Sequence, residues 1–242
     1  MDIGDPQFWL AVLQIIAIDI VLGGDNAIVI ALACRRLPEQ QRNLGIFWGV
    51  FGAIGLRVVL IFFALSLLAI PFLKLVAALL LLWIGIKLLQ PASDGEGHEI
   101  DASTTLPGAI RTIIIADAVM SLDNVIAIAG AAKGSIGLVV LGLVVSVPII
   151  VWGSKLVMRL MERFPVVIVM GAGLLGWIAG DMSVNDAVVR AWVATHAAFL
   201  DWLAPVCGAL LVVVIGKWLG ARTRTGSEPI TDLADDADRP PT

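Results

Sequence analysis

Cysteine, histidine and charged residues are all scarce in this chain. Its 242 residues include two cysteines and two histidines, and only 15% are charged. Cys34 and Cys207 form no CxxC pair, which argues against a disulfide scaffold, a thiolate metal site or haem attachment. The apolar segments hold no deep Ser–His or Cys–His pair and no HExxH motif, so an intramembrane hydrolase built on paired carboxylates is disfavoured. We therefore expect no enzymatic activity.

Apolar residues are correspondingly abundant in the chain. They make up 59% of the chain, against about 45–50% in a soluble domain. A membrane span needs ~17–25 apolar residues, and the runs here are unbroken rather than alternating. The pattern predicts an all-α polytopic membrane protein with about seven transmembrane helices. Their predicted ranges are 8–33, 44–69, 72–90, 107–132, 135–157, 165–183 and 203–220.

One acidic motif occurs inside two of these apolar runs. Asp19 is followed by Asp25-Asn26 in the first predicted helix, and Asp117 by Asp123-Asn124 in the fourth, 98 residues later. Lipid supplies neither hydrogen bonds nor counter-charge, so these side chains must face protein, water or a bound ion. The first copy also contains Gly23-Gly24, and each glycine weakens a helix by roughly 1 kcal/mol relative to alanine. We therefore expect a discontinuous helix at this point.

Basic residues are distributed unequally between the two ends of the predicted helices. If the N-terminus is external, eleven basic residues belong to the internal side: Arg35, Arg36, Arg42, Lys87, Arg111, Lys155, Arg159, Arg163, Lys217, Arg222 and Arg224. Only three belong to the external side: Lys74, Lys133 and Arg190. The positive-inside rule then predicts a protein of the inner (plasma) membrane with an external N-terminus and a cytoplasmic C-terminus.

The two copies of the acidic motif are separated by an odd number of predicted spans. They therefore lie on antiparallel helices, and helices 1 to 3 match helices 4 to 6 as an inverted repeat, with a seventh helix outside it. This organisation divides the chain into a first repeat (1–90), an acidic cytoplasmic loop (91–106), a second repeat (107–183), an external interfacial segment with the seventh helix (184–221) and a disordered acidic cytoplasmic tail (222–242).

Both acidic motifs together predict a cation site near the middle of the membrane. Carboxylate, amide and hydroxyl oxygens suit hard ions such as Mn²⁺, Mg²⁺ or Ca²⁺, and the absence of Cys and His from the centre argues against Zn or Cu. These ligand types do not separate Mn²⁺ from Mg²⁺ or Ca²⁺. The candidate metal ligands are Asp19, Asp25, Asn26, Asp117, Ser121, Asp123 and Asn124.

Arg57, near the centre of the second predicted helix, has two interpretations. It is too deep to reach the membrane surface, so we expect it to pair with a central aspartate when no cation is bound. The alternative is a purely structural ion pair that locks the helices together. In that case the acids are packing devices, and the protein is a membrane scaffold for partner proteins. Two symmetry-related sets of acids favour the cation site.

The segments between and after the helices are polar. The loop around His98 is interpreted as a solvated linker, or else as an entrance that gathers cations. The segment containing Trp192 and Trp202 is predicted to form an external interfacial helix. The net charge of -4 makes nucleic acid an improbable partner. The predicted partners are the lipid bilayer and a divalent cation, without a resident cofactor and without a defined oligomeric state.

The paired motifs Asp-x3-Gly-Gly-Asp-Asn and Asp-x3-Ser-x-Asp-Asn resemble those of the TerC family of integral membrane proteins, named for tellurium resistance. The similarity runs over roughly residues 5–222 and includes the Arg-Arg-Leu-Pro after the first helix, Arg57 and the Trp83–Lys87 segment. The resemblance implies manganese efflux, as in several members, although other members are tied to tellurite resistance or stress. Asp25-Asn26 and Asp123-Asn124 are the positions that it marks as metal-site residues.

The predicted topology is testable by cysteine labelling. A cysteine introduced at Gly97, in a chain with Cys34 and Cys207 replaced by serine, is expected to react with a membrane-impermeant maleimide only after the membrane is opened. The basic residues flanking the adjacent spans hold this loop in the cytoplasm. Labelling of intact cells or spheroplasts at Gly97 would reverse the assigned orientation.

Overall fold

The helical architecture follows the apolar runs of the sequence. The computed structural model describes residues 6–68, 70–90, 105–131 and 136–225, and within these ranges the chain forms nine helices and no strand. The helices are α1 (Pro6–Gly23), α2 (Asn26–Cys34), α3 (Glu39–Leu68), α4 (Leu73–Leu89), α5 (Leu106–Ala131), α6 (Ile136–Arg163), α7 (Val166–Val184), α8 (Arg190–His196) and α9 (Leu200–Thr225). The all-α prediction is confirmed, and most of the predicted acidic loop and tail lies outside the described residues.

The first predicted helix, 8–33, consists of two helices rather than one. Helix α1 ends at Gly23, and α2 begins at Asn26 after a turn at Gly24 and Asp25. Glycine lowers helix stability, so the Gly-Gly pair places the interruption at the acidic motif. The expected discontinuity is confirmed, whereas α5 passes through the second motif without interruption because no glycine pair stands there.

Local capping interactions set the ends of several other helices. The Thr105 hydroxyl accepts a hydrogen bond from the Gly108 amide (3.2 Å) at the start of α5. Phe72, which has a positive φ of 63°, precedes α4, and its amide donates to the Asp186 carboxylate (3.3 Å). Asp186 also accepts from the Val188 amide (3.0 Å) and is 1% exposed. Asp186, which lies in the segment predicted to be external and interfacial, is therefore a buried clamp that joins the starts of α4 and α8.

Within the described residues, four helical segments are long and apolar enough to cross a membrane: Glu39–Phe63, Gly137–Arg163, Val166–Val184 and Leu200–Arg222. Helix α4 is shorter, with 17 residues, and α5 carries Arg111, Asp117 and Asp123. Large apolar side chains cover the outside of the bundle, including Trp152 at 68% exposed. The chain is thus a helical membrane protein with several apolar helices, and the total of seven spans stays a prediction.

The helices pack into a bundle whose closest contact joins α7 and α9. Helix α4 packs on both of them, α3 packs on α5, and α6 packs on α1 and α2. Gly180 and Gly208 lie where α7 and α9 meet: a Cβ at Gly180 would stand 2.2 Å from the Ala204 carbonyl oxygen, and one at Gly208 2.1 Å from the Gly176 carbonyl oxygen. Small residues at such a crossing let the two backbones touch.

One methyl group added at the contact between α7 and α9 is expected to lower the stability of the protein. Gly180→Ala is expected to destabilise the protein by about 1–3 kcal/mol, because the new Cβ meets backbone that no side-chain rotation can move. The thermal unfolding temperature in detergent measures this effect. Gly55→Ala in α3 is the matched control: nothing lies within 4 Å of its added Cβ, so the variant should match or exceed the wild type. Equal unfolding temperatures for both variants would contradict the close contact.

Candidate functional site

A buried arginine joins three helices at the centre of the bundle. Arg57 in α3 is 2% exposed, and its Nη1 and Nη2 groups donate to the carboxylates of Asp19 in α1 and Asp117 in α5. Its Nε group donates to the Ser121 hydroxyl at 2.9 Å. The five N–H groups of a guanidinium lie in one plane, which allows a single arginine to bridge two acids and a hydroxyl. The expected pairing of Arg57 with the central aspartates is confirmed.

Asp117 is the most heavily hydrogen-bonded acid of this cluster. Besides Arg57 it accepts from the Asn26 side-chain amide at 2.8 Å and from the Ser121 hydroxyl at 3.2 Å. Asn26 is the first residue of α2, directly after the helix interruption, whereas Ser121 lies one turn after Asp117 on α5. The two acidic motifs, far apart in the sequence, therefore meet through a direct Asn26–Asp117 hydrogen bond.

Asp19 has a partner that the sequence did not single out. The Ser146 hydroxyl of α6 donates to the Asp19 carboxylate, and both side chains are buried. Because Asp19 also binds Arg57, it ties α1 to both α3 and α6. Ser146 interrupts an otherwise apolar stretch of a predicted span, and a polar side chain in that setting needs an internal partner. That interruption was the signal available in the sequence.

The charges of the cluster do not balance. Arg57 supplies one positive charge, whereas Asp19, Asp117 and the half-buried Asp25 each bring a carboxylate. A buried ion pair offsets its own desolvation only when good geometry and further hydrogen bonds complete it. Ser121, Ser146 and Asn26 supply those additional hydrogen bonds. The result is a well-bonded cluster that still carries an excess of acidic groups.

Two side-chain oxygen atoms beside the cluster receive no hydrogen bond from the described residues. These buried atoms are Asp25 Oδ1 and Asn26 Oδ1. Asp25 occupies the N-cap position of α2, yet its side chain makes no capping hydrogen bond there. A buried acceptor without a donor costs about 1–3 kcal/mol. Both atoms lie at the helix interruption, where the last carbonyl groups of α1 also lose their helical partners.

The structure brings together four of the seven predicted ligands. Asp19, Asn26, Asp117 and Ser121 belong to one hydrogen-bonded network around Arg57. Asn124 is buried one turn beyond Ser121, Asp25 lies at the helix interruption, and the side chain of Asp123 is outside the described part of the chain. Among the described side chains, no three of Asp, Glu, His and Cys form a metal-binding group. Their assignment as metal ligands stays a prediction.

A cavity of about 160 Å³ lies between the cluster-bearing helix α5 and the clamp formed by Asp186. Leu122, next to Ser121 in sequence, lines it together with Lys74, Asn185 and Asp186. Polar side chains thus line one side of a space next to α5. The cavity has room for several water molecules, at about 30 Å³ each.

Comparisons with known proteins agree on one family. A family model described as "Integral membrane protein TerC family" matches residues 4–224. Membrane protein YjbE of Bacillus subtilis is 44% identical over 210 residues, covering 87% of this chain and 95% of that protein. Inner membrane protein YgdQ of Escherichia coli is 28% identical over 180 residues (67% and 75%), and YceF of Bacillus subtilis 25% over 233 (92% and 89%). No solved structure gives a significant match.

The Arg57 cluster predicts a large loss of stability when the arginine is neutralised. Arg57→Gln should destabilise the protein by about 3–5 kcal/mol, because two buried carboxylates lose their shared counter-charge. Adding Asp19→Asn to this variant should restore part of the loss, since it removes one uncompensated charge. Thermal unfolding in detergent gives both values.

Arg159→Gln in α6 is the matched control, because Arg159 is exposed and the same charge is removed. Its unfolding temperature should stay near that of the wild type. If Arg57→Gln unfolds at the same temperature as Arg159→Gln, the buried pairing is not what holds α1, α3 and α5 together.

Proposed function

Because this chain belongs to the TerC family of integral membrane proteins, we propose that it is a transporter that exports a divalent metal cation, most specifically Mn²⁺. The cation binds at mid-membrane between the two acidic motifs. We also propose that the chain has seven spans, two inverted three-helix repeats and an external N-terminus. The direct contact between Asn26 and Asp117 supports it, since an inverted repeat brings its two motifs together at the midplane.

The observation that carries this proposal is the pair of buried oxygens without donors. Asp25 Oδ1 and Asn26 Oδ1 lie beside a cluster that already has more carboxylates than cations. Neither oxygen has a hydrogen-bond partner among the described residues, and carboxylate and amide oxygens are the ligand types that hard metal ions take in proteins. A helix interruption at membrane depth is also where transporters expose backbone carbonyls to cations.

The ligand chemistry limits the choice of ion, and family membership narrows it. The described oxygens come from carboxylates, an amide and a hydroxyl, which suit Mn²⁺, Mg²⁺ and Ca²⁺. Cys34 and Cys207 take no part in the cluster, which disfavours softer metals. Mn²⁺ is proposed among the three hard ions because the acidic motifs resemble those of manganese-exporting members of this family.

Arg57 acts in this proposal as an internal substitute for the transported ion. Without a metal ion, its guanidinium holds Asp19 and Asp117 together. Metal entry next to these acids repels Arg57 and competes for the same oxygens, so binding requires at least one of the two ion pairs to open. Emptying the site lets Arg57 close it again, which keeps the acids compensated throughout the cycle.

Replacement of a single carboxylate tests the metal site. Asp25→Asn should abolish protection of a manganese-sensitive host and metal uptake into inverted vesicles, while the unfolding temperature stays equal or rises. The change removes a charge, and Asp25 Oδ1 has no hydrogen-bond partner among the described residues to lose. Asp123→Asn is expected to have the same effect on transport.

Asp181→Asn is the control, since Asp181 is an exposed acid of α7 and loses the same charge. It should transport like the wild type. Full activity of Asp25→Asn, or a loss of activity that matches a loss of folded protein, would contradict the metal site.

The second candidate function is a membrane scaffold connected with stress or tellurite resistance. The three hydrogen bonds that Asp117 accepts favour the scaffold, because these contacts alone would hold α2, α3 and α5 together. Purified protein in liposomes distinguishes the two functions: a transporter quenches a metal-sensitive dye inside the vesicles when Mn²⁺ is added, and a scaffold does not.

A further inference from the structure

Another cavity with polar lining residues lies where α2, α4, α7 and α9 meet. It has a volume of about 540 Å³, within the usual range of ligand-binding pockets. Arg35, which follows α2, and Lys217 of α9 line it, and Leu89, Ile168 and Val169 contribute to its apolar wall. No acidic side chain is among the described residues that line this cavity. Two cationic side chains therefore border a partly open cavity that has no carboxylate among its described lining residues.

Arg35 is held in place but keeps part of its hydrogen-bonding capacity. Its Nη2 group donates to the Leu88 carbonyl oxygen at 2.8 Å, which fixes the side chain against the end of α4. Its Nε group is buried and has no hydrogen-bond partner. Burial and the nearby charge of Arg36 lower the pKa of Arg35 to about 10, so it still carries its charge at neutral pH. A partly buried cation with an unpaired N–H group favours an anion beside it.

An acid that borders an adjoining cavity is already paired with another arginine. Glu162 lines an adjoining cavity that Arg35 and Arg36 also border, but its carboxylate pairs with Arg42. Lys217 is exposed and forms no ion pair among the described residues. Arg222, one turn further along α9, stacks on the Trp218 ring at 3.7 Å. Among the described residues, no acidic side chain pairs with Arg35 or Lys217.

The start of α7 adds a further positive contribution. Pro165 is the N-cap residue of α7, makes no side-chain capping hydrogen bond and lines the cavity. The N-terminus of a helix carries a partial positive charge and favours anions nearby. This contribution is secondary to the two side-chain cations, but it has the same sign and points to the same kind of ligand.

From these features we infer that the cavity binds the headgroup of an anionic phospholipid. Its phosphate would pair with Arg35 and Lys217, and its glycerol and upper acyl groups would lie on Leu89, Ile168 and Val169. The apolar wall favours a lipid over free phosphate, which has no apolar part. Basic pockets between transmembrane helices at the cytoplasmic side are known lipid-headgroup sites, and the positive-inside rule predicts that this end is cytoplasmic.

Lipid retention by the purified full chain tests this inference. In native mass spectrometry, the wild type should retain phosphatidylglycerol in preference to phosphatidylcholine. Lys217→Gln should lower the affinity for phosphatidylglycerol by about fivefold, the effect of one basic residue near an anionic headgroup. Arg35→Gln should lower it at least as much. Lys217 is the cleaner position, because its exposed side chain forms no hydrogen bond or ion pair with the described residues whose loss would disturb folding.

Arg159→Gln is the matched control, since it removes an exposed charge at the same end of the bundle outside the cavity. It should bind phosphatidylglycerol like the wild type. Excess inorganic phosphate should not displace the lipid. Equal retention of both lipids, equal losses in Arg159→Gln and Lys217→Gln, or displacement by phosphate would each overturn the inference, the last in favour of a free-anion site. Binding that appears only after the acids Asp232, Asp235, Asp236 and Asp238 are changed to asparagine would overturn it in favour of the chain's own tail.

Discussion

The bundle depends on one buried guanidinium. Arg57 contacts acids from α1 and α5 and a hydroxyl from α5, and a serine from α6 completes the shell of Asp19. These charges are tolerated away from water only because each is paired and hydrogen-bonded. The same condition dictates where α1, α3, α5 and α6 can lie relative to one another, since moving one helix leaves a charge without a partner. The positions of these helices and the pairing of the buried charges therefore depend on each other.

The helix interruption at Gly24 and Asp25 gives the cluster its asymmetry. In the first motif the chain leaves the helix, so Asn26 begins a new helix and reaches Asp117 across the bundle. In the second motif the helix is continuous, and Asp117 and Ser121 lie on one face, one turn apart. Two similar sequences thus contribute differently: one presents unbonded oxygens at a turn, and the other presents a rigid acceptor. An exchange of the arginine for a metal ion would use both properties.

The sequence predicted the parts of the site that follow from local rules. Acids inside apolar runs identified Asp19 and Asp117, the glycine pair identified the interruption, and the depth of Arg57 predicted that it pairs with a central aspartate. Ser146 was not predicted, because a single serine in a span is common and its partner Asp19 lies far away in the sequence. Asp186 lies in the segment predicted to be external and interfacial, but it is buried because it accepts hydrogen bonds from backbone amides at the starts of two helices. Such contacts depend on tertiary packing, which periodicity in one segment does not contain.

The close contact of α7 and α9 also bears on where the bundle can rearrange. At Gly176, Gly180 and Gly208 the two backbones approach so closely that an added Cβ would collide with the facing backbone. Sliding one helix along the other would place residues that carry a Cβ at this crossing. The arginine, acids and serines of the charged cluster meet through side chains, which can change rotamer. In the proposed transport cycle, rearrangement is therefore expected at the side-chain contacts of the cluster and not at the crossing of α7 and α9.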